Sequence, residues 1–348
     1  MNKINILQLI TGLGMGGAEK VVLDLAKYTS KDEFNTFVVG MSKRDELLEE
    51  FLDNGIDTIL LKKDNSLKDF IEIFKYLDNI IKQNDIKIIH AHMTHSMIMS
   101  ALLKIKNPFL KVVYTSHSLN IGSKLREYII WSLKSFRDID IVFSKGILKF
   151  FYKKSFKVIP NGIKIDKYDL DLPKNNKFTF IAIGRLETVK NHKVLIEIAN
   201  RLKNNYNFEI QIVGNGYLKD ELKSLIEHYN LESNVKLLGL RNDIPKLLNN
   251  AHCLVMPSLW EGLPIVILEA GASCLPIVST KVGSIPSLLN NKNAYLSELE
   301  NFEKNMIEVL ENYNEAEEKG KILFQDILKT YSIDSVVKKH EVIYKDLV

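Results

Sequence analysis

The sequence predicts an α/β protein of two Rossmann-like domains, each a doubly wound parallel sheet. Three observations predict it. Short runs rich in β-branched residues recur in two series. The first runs through Ile4–Ile10, 36–39, 58–61, 86–89, Lys111–Thr115, 139–143 and 157–159, and the second through Phe178–Ile183, 209–213, 235–238, Cys253–Met256 and 277–279. Stretches with a 3.6-residue apolar period, such as 18–27 and 194–202, separate most of them. Strands that alternate with helices pair in parallel, because a parallel connection needs a crossover. Each series also opens with a strand and a glycine turn, at Gly12 and at Gly184. The boundary is expected near Pro160-Asn161-Gly162 and the polar stretch that runs on to Pro173. This gives domains 1–165 and 166–331, followed by an amphipathic helix over about 332–348.

Composition sets the class. At 348 residues the chain can fill two cores. Its 46% hydrophobic and 26% charged residues are those of a globular protein. No run approaches the ~18 apolar residues of a membrane span. Ile4–Ile10 is too short for a signal-peptide core and runs into a glycine turn without a cleavage pattern. Cys253 and Cys274 lack CxxC spacing and read as core residues of a cytosolic protein. The expected location is therefore the cytoplasm, with peripheral attachment to the inner face of the membrane as an option.

That option comes from the charge distribution. Residues 101–157 carry 12 Lys and Arg against 3 Asp and Glu, a net of +9, while the rest carries 35 against 40, a net of −5. Tyr128, Trp131, Phe136, Phe150, Phe151, Tyr152 and Phe156 are interleaved with the cations. Basic and aromatic surface suits an anionic lipid headgroup layer. It would also suit RNA, but no RNA-binding motif accompanies it, and no nucleic-acid partner is expected. A solvated charged face over core aromatics is the alternative.

The elements carry the chemistry in chain order. Gly12-Leu-Gly14-Met-Gly16-Gly17-Ala-Glu19 follows the first strand and opens a helix. It satisfies GxGxxG, but the dinucleotide fingerprint needs a carboxylate at the end of the second strand. That strand ends Val38-Val39-Gly40-Met41, which weakens the dehydrogenase reading. His90 and His92 alternate along one strand and so share a face, with His95 and His117 as neighbours to test. A zinc site would need a third ligand and carboxylate support. Tyr114-Thr-Ser-His117-Ser118 lies just past a strand, where open α/β sheets bind ligands, so His117 is the first catalytic candidate. His92 comes second, as an acceptor-pocket residue. Asp138-Ile-Asp140 and Asp169-Leu-Asp171 match the Asp-x-Asp of metal-dependent sugar transfer. Among 19 Asp about one such match arises by chance, and neither follows the right strand. No metal site is expected.

In the second series, Arg185 and Lys190 sit five apart in the first strand–helix turn. From there a guanidinium fork and an ammonium point charge can both reach one diphosphate. Gly214-Asn215-Gly216 ends the next strand and allows close approach to a base or ribose, or is simply a βα turn. Arg241 opens the segment after the following strand. The most informative stretch is Glu261-Gly262-Leu263-Pro264-Ile-Val-Ile-Leu-Glu269, after Pro257-Ser258. Pro264 suits the first position of a helix, and a helix N-terminus offers N–H groups and a positive dipole end to phosphate. Glu269, one to two turns in, can accept hydrogen bonds from paired ribose hydroxyls. The loop and helix together suit a nucleoside diphosphate carrying a sugar.

Glu-x7-Glu after Pro-Ser, followed by Glu-Ala and a Pro-Ile-Val-Ser-Thr strand, resembles the donor-site signature of family-4 retaining glycosyltransferases. These enzymes have the two-domain architecture called GT-B. The resemblance runs from the Gly12 loop to Gly283. It implies that Glu269 holds the ribose, Glu261 contacts the donor sugar, and Arg185 and Lys190 bind the pyrophosphate in place of a metal ion. It further implies that Gly16 and Gly17 face the donor phosphate and that His117 contacts the donor sugar. The segment from Leu240 and Arg241 would contact the nucleobase, without distinguishing uracil from guanine. The final helix would pack back on the first domain. Gly271-Ala-Ser-Cys274-Leu275 departs from the family, which has a Met, a small residue and a Gly there.

The implied activity is metal-independent transfer of a hexose or N-acetylhexosamine from a UDP- or GDP-sugar to a glycan or lipid-linked acceptor, without a cofactor. Two other functions share the architecture. A nucleotide-sugar 2-epimerase would convert donor without acceptor, and a non-catalytic partner subunit would bind nucleotide without turnover. The intact set of His117, Arg185, Lys190, Glu261 and Glu269 argues against the subunit.

Overall fold

Both sheets are wholly parallel. The computed structural model describes residues 3–64, 66–117, 123–143, 148–261 and 264–348. The chain divides into two units, Met1–Gly162 with Ile333–Val348, and Ile163–Ser332. The division after Gly162 stands slightly ahead of the expected 165. An isolated bridge between Ile163 and Ser332 ties the two ends of the second unit together.

The first unit has a seven-stranded sheet in the order β3-β2-β1-β4-β5-β6-β7. These strands are β1 Ile4–Ile10, β2 Phe34–Ser42, β3 Asp57–Lys63, β4 Ile88–His92, β5 Lys111–Thr115, β6 Ile139–Val142 and β7 Phe156–Val158. The second unit has six in the order β10-β9-β8-β11-β12-β13. They are β8 Phe178–Ile183, β9 Phe208–Val213, β10 Val235–Gly239, β11 Cys253–Met256, β12 Ile277–Thr280 and β13 Tyr295–Ser297. Helices cover both faces, which is why β4, β11 and β12 are buried at every position. In each order the sequence of strands reverses once, between β1 and β4 and between β8 and β11. Open parallel sheets take ligands beyond the carboxyl ends of the strands at such a reversal.

The last helix, α12 (Ile333–Leu347), belongs to the first unit. Val336, Ile343 and Tyr344 pack with Ile6, Ile88, Val113 and Ile141, one residue from each of four central strands. Ile333 and Val337 pack with Leu25 of α1 (Gly17–Tyr28). Lys345 pairs with Glu33 at 2.6 Å, and the Ser30 N–H donates to the Glu341 carboxylate at 2.7 Å.

Several local readings change. Phe151 and Tyr152 are core, while Tyr128, Trp131 and Phe150 are exposed. Arg137 is fully buried, ion-paired with Asp140 at 3.1 Å, and donates to the carbonyls of Ile130 and Phe151. Asp138 accepts from the Val112 N–H at 2.7 Å and pairs with Lys104 at 2.5 Å. The Asp138 carboxylate thus ties the start of β6 to β5, and the Asp140 carboxylate on β6 is held by Arg137. Cys253 is buried, but Cys274 is exposed rather than core. Its φ of 52° is the left-handed position just past α9 (Ile265–Ala272), where glycine ends a helix without strain. The departure from the family pattern therefore falls on a backbone position that favours the missing glycine.

Candidate active site

In the second unit the loop after β8 is built on backbone contacts. Gly214 has φ +144°, and a Cβ there would lie 1.9 Å from the Gly184 carbonyl oxygen. A Cβ on Gly216 would lie 2.4 Å from the Leu186 oxygen. These glycines are therefore required where β8 and β9 end side by side, a closer constraint than room for a base or ribose. The Asn215 carbonyl accepts from the Leu186 N–H at 2.9 Å, so Asn215 braces the turn that carries Arg185.

Lys190 ends a short 3₁₀ turn, Thr188–Lys190, and its stem lies against Gly184. Its Nζ donates to Glu261 Oε1 at 2.5 Å, and Ser258 Oγ donates to the same oxygen at 2.8 Å. Glu261 is buried just beyond β11, at the reversal. Two contacts fix its loop: Thr280 Oγ1 donates to the Ser258 carbonyl at 2.6 Å, and Gly283 stands under Glu261. Gly283 has φ +55°, and a Cβ on it would lie 1.7 Å from the Glu261 carbonyl oxygen, so no other residue fits without moving the loop. Arg185 goes elsewhere. It is exposed and paired with Glu187 at 2.8 Å. The structure brings Lys190 to Glu261 and leaves the Arg185 fork on a neighbouring carboxylate.

Glu269 lies on α9, half-buried, and accepts from the Tyr168 hydroxyl at 2.6 Å. Burial raises its pKa, and the Tyr168 hydrogen bond opposes that rise. Pro264 is the N-cap of α9 rather than its first residue, with ψ 129°. Arg241 makes a two-pronged pair with Asp243 at 2.6 and 2.8 Å. Gly262, Leu263 and Ser118 lie outside the described residues.

In the first unit Gly16 caps α1 and Gly17 is its exposed first residue. A Cβ on Gly16 would lie 2.4 Å from Glu19 Oε2, so the Glu19 carboxylate already sits against this helix start, where negative charge is favoured. His90 and His92 do share a face of β4, with ring centroids 4.1 Å apart. His92 Nδ1 lies 2.7 Å from His117 Nε2, and His92 Nε2 lies 2.7 Å from Gln8 Oε1. His90 Nδ1 lies 2.8 Å from the Tyr344 hydroxyl and its Nε2 2.9 Å from Thr115 Oγ1. Both nitrogens of His90 and of His92 are therefore engaged within the unit. His92 is fully buried, which removes it from direct contact with an acceptor. His95 is exposed on α4 (Met93–Lys106) and is not part of this cluster.

Burial holds His90 and His92 well below the usual imidazole range, reinforced by neighbouring histidines. Burial, and then His340, pushes His117 down to about 3. His117 is thus a neutral imidazole at pH 7. It is also held at φ +59°, a left-handed conformation costly for a residue with a Cβ. Sequence reasoning missed Tyr168, Ser258, Gln8 and Tyr344. Only Ser258 carried a signal, its place in the Pro-Ser ahead of Glu261.

Two family models match, one in each half of the chain: "Glycosyltransferase Family 4" over residues 15–167 and "Glycosyl transferases group 1" over residues 165–322. The chain belongs to the family-4 glycosyltransferases, with the GT-B fold. This glycosyltransferase is 28% identical over 323 residues to the UDP-Gal:alpha-D-GlcNAc-diphosphoundecaprenol alpha-1,3-galactosyltransferase of Escherichia coli, covering 82% of this chain and 81% of that one. It is 24% identical over 358 residues to the phosphatidylinositol N-acetylglucosaminyltransferase gpi3 subunit of Schizosaccharomyces pombe, covering 95% and 78%. Its fold matches that of Anabaena HepE in complex with UDP, at a TM-score of 0.83 and 20% identity over 99% of this chain and 100% of that one.

Proposed function

We propose that this glycosyltransferase moves a hexose or N-acetylhexosamine from a UDP- or GDP-sugar to a lipid-linked or glycan acceptor, with retention at the anomeric carbon and without a metal. The observation that carries the reading is the Lys190–Glu261–Ser258 cluster beyond β8 and β11. Relatives named for diphosphoundecaprenol and phosphatidylinositol substrates support the lipid-linked acceptor, and UDP in a neighbour of the same fold supports the donor.

Transfer breaks the bond between the anomeric carbon and the leaving phosphate oxygen. Its electron pair goes to the phosphate while positive charge grows on the sugar. Lys190 and Arg185 are assigned to the phosphate charge, the role a metal ion plays in other transferases. Glu261 and His117 are assigned to the sugar hydroxyls. With Glu261 and Glu269 assigned to sugar and ribose hydroxyls, no carboxylate is assigned as a nucleophile, which favours front-face attack. The acceptor hydroxyl then bonds the anomeric carbon from the side the phosphate leaves, and its proton passes to a phosphate oxygen. Proton NMR of the first product formed from an α-linked donor tests this. An α-glycoside is expected, and a β-glycoside would overturn retention.

The acceptor reading extends to the membrane. On α5 (Lys124–Ser132), Leu125, Tyr128 and Trp131 are exposed, and Phe150 lies beside Tyr128 with ring centroids 5.5 Å apart. Such a face, set among the cations of 101–157, suits an anionic surface, at about 1 kcal/mol per cation close to the lipid. Among the described residues no helix is long and apolar enough to cross a membrane. Sedimentation with liposomes is expected to show binding to anionic vesicles at low salt, lost at high salt. Equal binding to neutral vesicles, or none at low salt, would return these residues to a solvated face.

A further inference from the structure

The buried hydrogen bonds of the first unit have a single consistent direction. Gln8 donates its amide N–H to the Tyr344 hydroxyl at 3.3 Å. The Tyr344 hydroxyl proton is assigned to His90 Nδ1, which lies 2.8 Å away and gives that buried proton an acceptor. With that assignment neutral His90 carries its own proton on Nε2 and donates to Thr115 Oγ1. At the other end of Gln8 the carbonyl oxygen can only accept, so His92 donates from Nε2. This leaves His92 Nδ1 as an acceptor, and His117 must donate to it from Nε2. Every ring in the series is held as the Nε2–H tautomer, and the Nδ1 of His117 is left as an acceptor. Gln8, His90, His92 and Tyr344 are all fully or nearly fully buried, so no water competes for these bonds.

We propose that Tyr344, on the C-terminal helix, is a positioning residue for His117, acting through Gln8 and His92 to fix the tautomer and angle of its ring. The inference rests on the reading of His117 as a residue that acts on the sugar. It gives the packing of α12 against β1 and β4 a catalytic consequence. The residues joined are 336 positions apart at Gln8 and Tyr344, so the helix must be seated before the ring is set. A ring free to flip would present Nδ1 and Nε2 in turn, and misplacement of a reacting group by about 1 Å can cost up to ~100-fold in rate.

The test pairs kinetics with ¹⁵N NMR of the histidine rings. Tyr344→Phe removes one oxygen, and Gln8→Met keeps the length of its side chain while neither donating nor accepting. Each is expected to lower kcat about tenfold with donor KM changed less than about twofold. The double variant should be no worse than either single one, because both cut the same series. The parent should show His117 as the Nε2–H tautomer alone, and both variants a mixture. A single unchanged tautomer in folded Tyr344→Phe and Gln8→Met, with parent kcat, would overturn the proposal. Should one variant fail to fold, the other decides. His117→Ala separates the two readings. Parent activity in His117→Ala would remove the catalytic role of His117 itself, whereas an inactive His117→Ala beside fully active Tyr344→Phe and Gln8→Met would remove only the role of Tyr344.

Discussion

Lys190→Ala is expected to lower kcat/KM by at least about tenfold. A hydrogen bond from a charged group is worth roughly 1.5–3 kcal/mol, and about 1.4 kcal/mol is a factor of ten. Lys190 is bonded to Glu261, so its loss has a second effect. The Glu261 carboxylate remains buried with Ser258 as its partner, and breaking a buried pair from one side costs about 3–5 kcal/mol. The single variant should therefore melt earlier as well as turn over more slowly. Lys190→Ala combined with Glu261→Gln should recover much of the stability and none of the rate. Arg185→Ala offers the cleaner contrast, because Arg185 is exposed and its partner among the described residues is the surface carboxylate of Glu187. A comparable fall in rate is expected there with little change in melting temperature. EDTA should leave the parent rate unaltered. A rate lost on chelation and restored by manganese would contradict the assignment of the phosphate charge to these cations.

The first unit is expected to lose several kcal/mol of stability between pH 7 and pH 5. His90 and His92 are held well below the usual range, and His117 and His340 are pushed down to about 3 and about 4, in each case by burial first. The unfolded chain takes up these protons near pH 6.5 and the folded chain does not. The neutral rings therefore contribute in full above pH 6.5, and the contribution falls as pH drops through that value. At pH 5 the loss is about 2 kcal/mol for a ring held as low as His117 or His340, and His90 and His92 add to it in the same direction. The second unit has His192, pushed down to about 4 by burial and by Lys190, and should lose one such share. Urea midpoints at pH 7 and pH 5 decide it, and midpoints that do not move would contradict the neutral cluster.

The architecture was legible because it repeats. Apolar runs and glycine turns alternate in both halves, and the strands stand where those runs predicted them. The boundaries moved for physical reasons. The apolar run at 86–89 overlaps β4 only at Ile88 and Ile89, and the strand continues through the alternating His90 and His92 between two neighbours that hold its backbone. β13 spans only Tyr295–Ser297 and has no β-branched residue to mark it. The site divides differently. Glu261, Glu269, Lys190 and His117 could be picked out because each sits at a strand end or a helix start. Their partners could not. Tyr168 lies 101 positions from Glu269, Glu261 meets Lys190 across 71, and Gln8 meets Tyr344 across 336. No local pattern marks such pairs. The demand on Gly214 and Gly283 is likewise invisible in sequence, because it comes from carbonyl groups brought close only by the fold.

The nucleotide site is tested most directly by calorimetric titration of UDP and of GDP into the parent and into Glu269→Gln. The amide keeps the size of the side chain and one acceptor oxygen but loses the charge offered to the ribose hydroxyls. Hydrogen bonds to a charged group are worth roughly 1.5–3 kcal/mol, so the dissociation constant of whichever nucleotide the parent binds should rise about tenfold, with the melting temperature of the variant close to that of the parent. Equal affinity of Glu269→Gln and the parent for that nucleotide would contradict the assignment of Glu269 to the ribose, and with it the placing of the donor on α9.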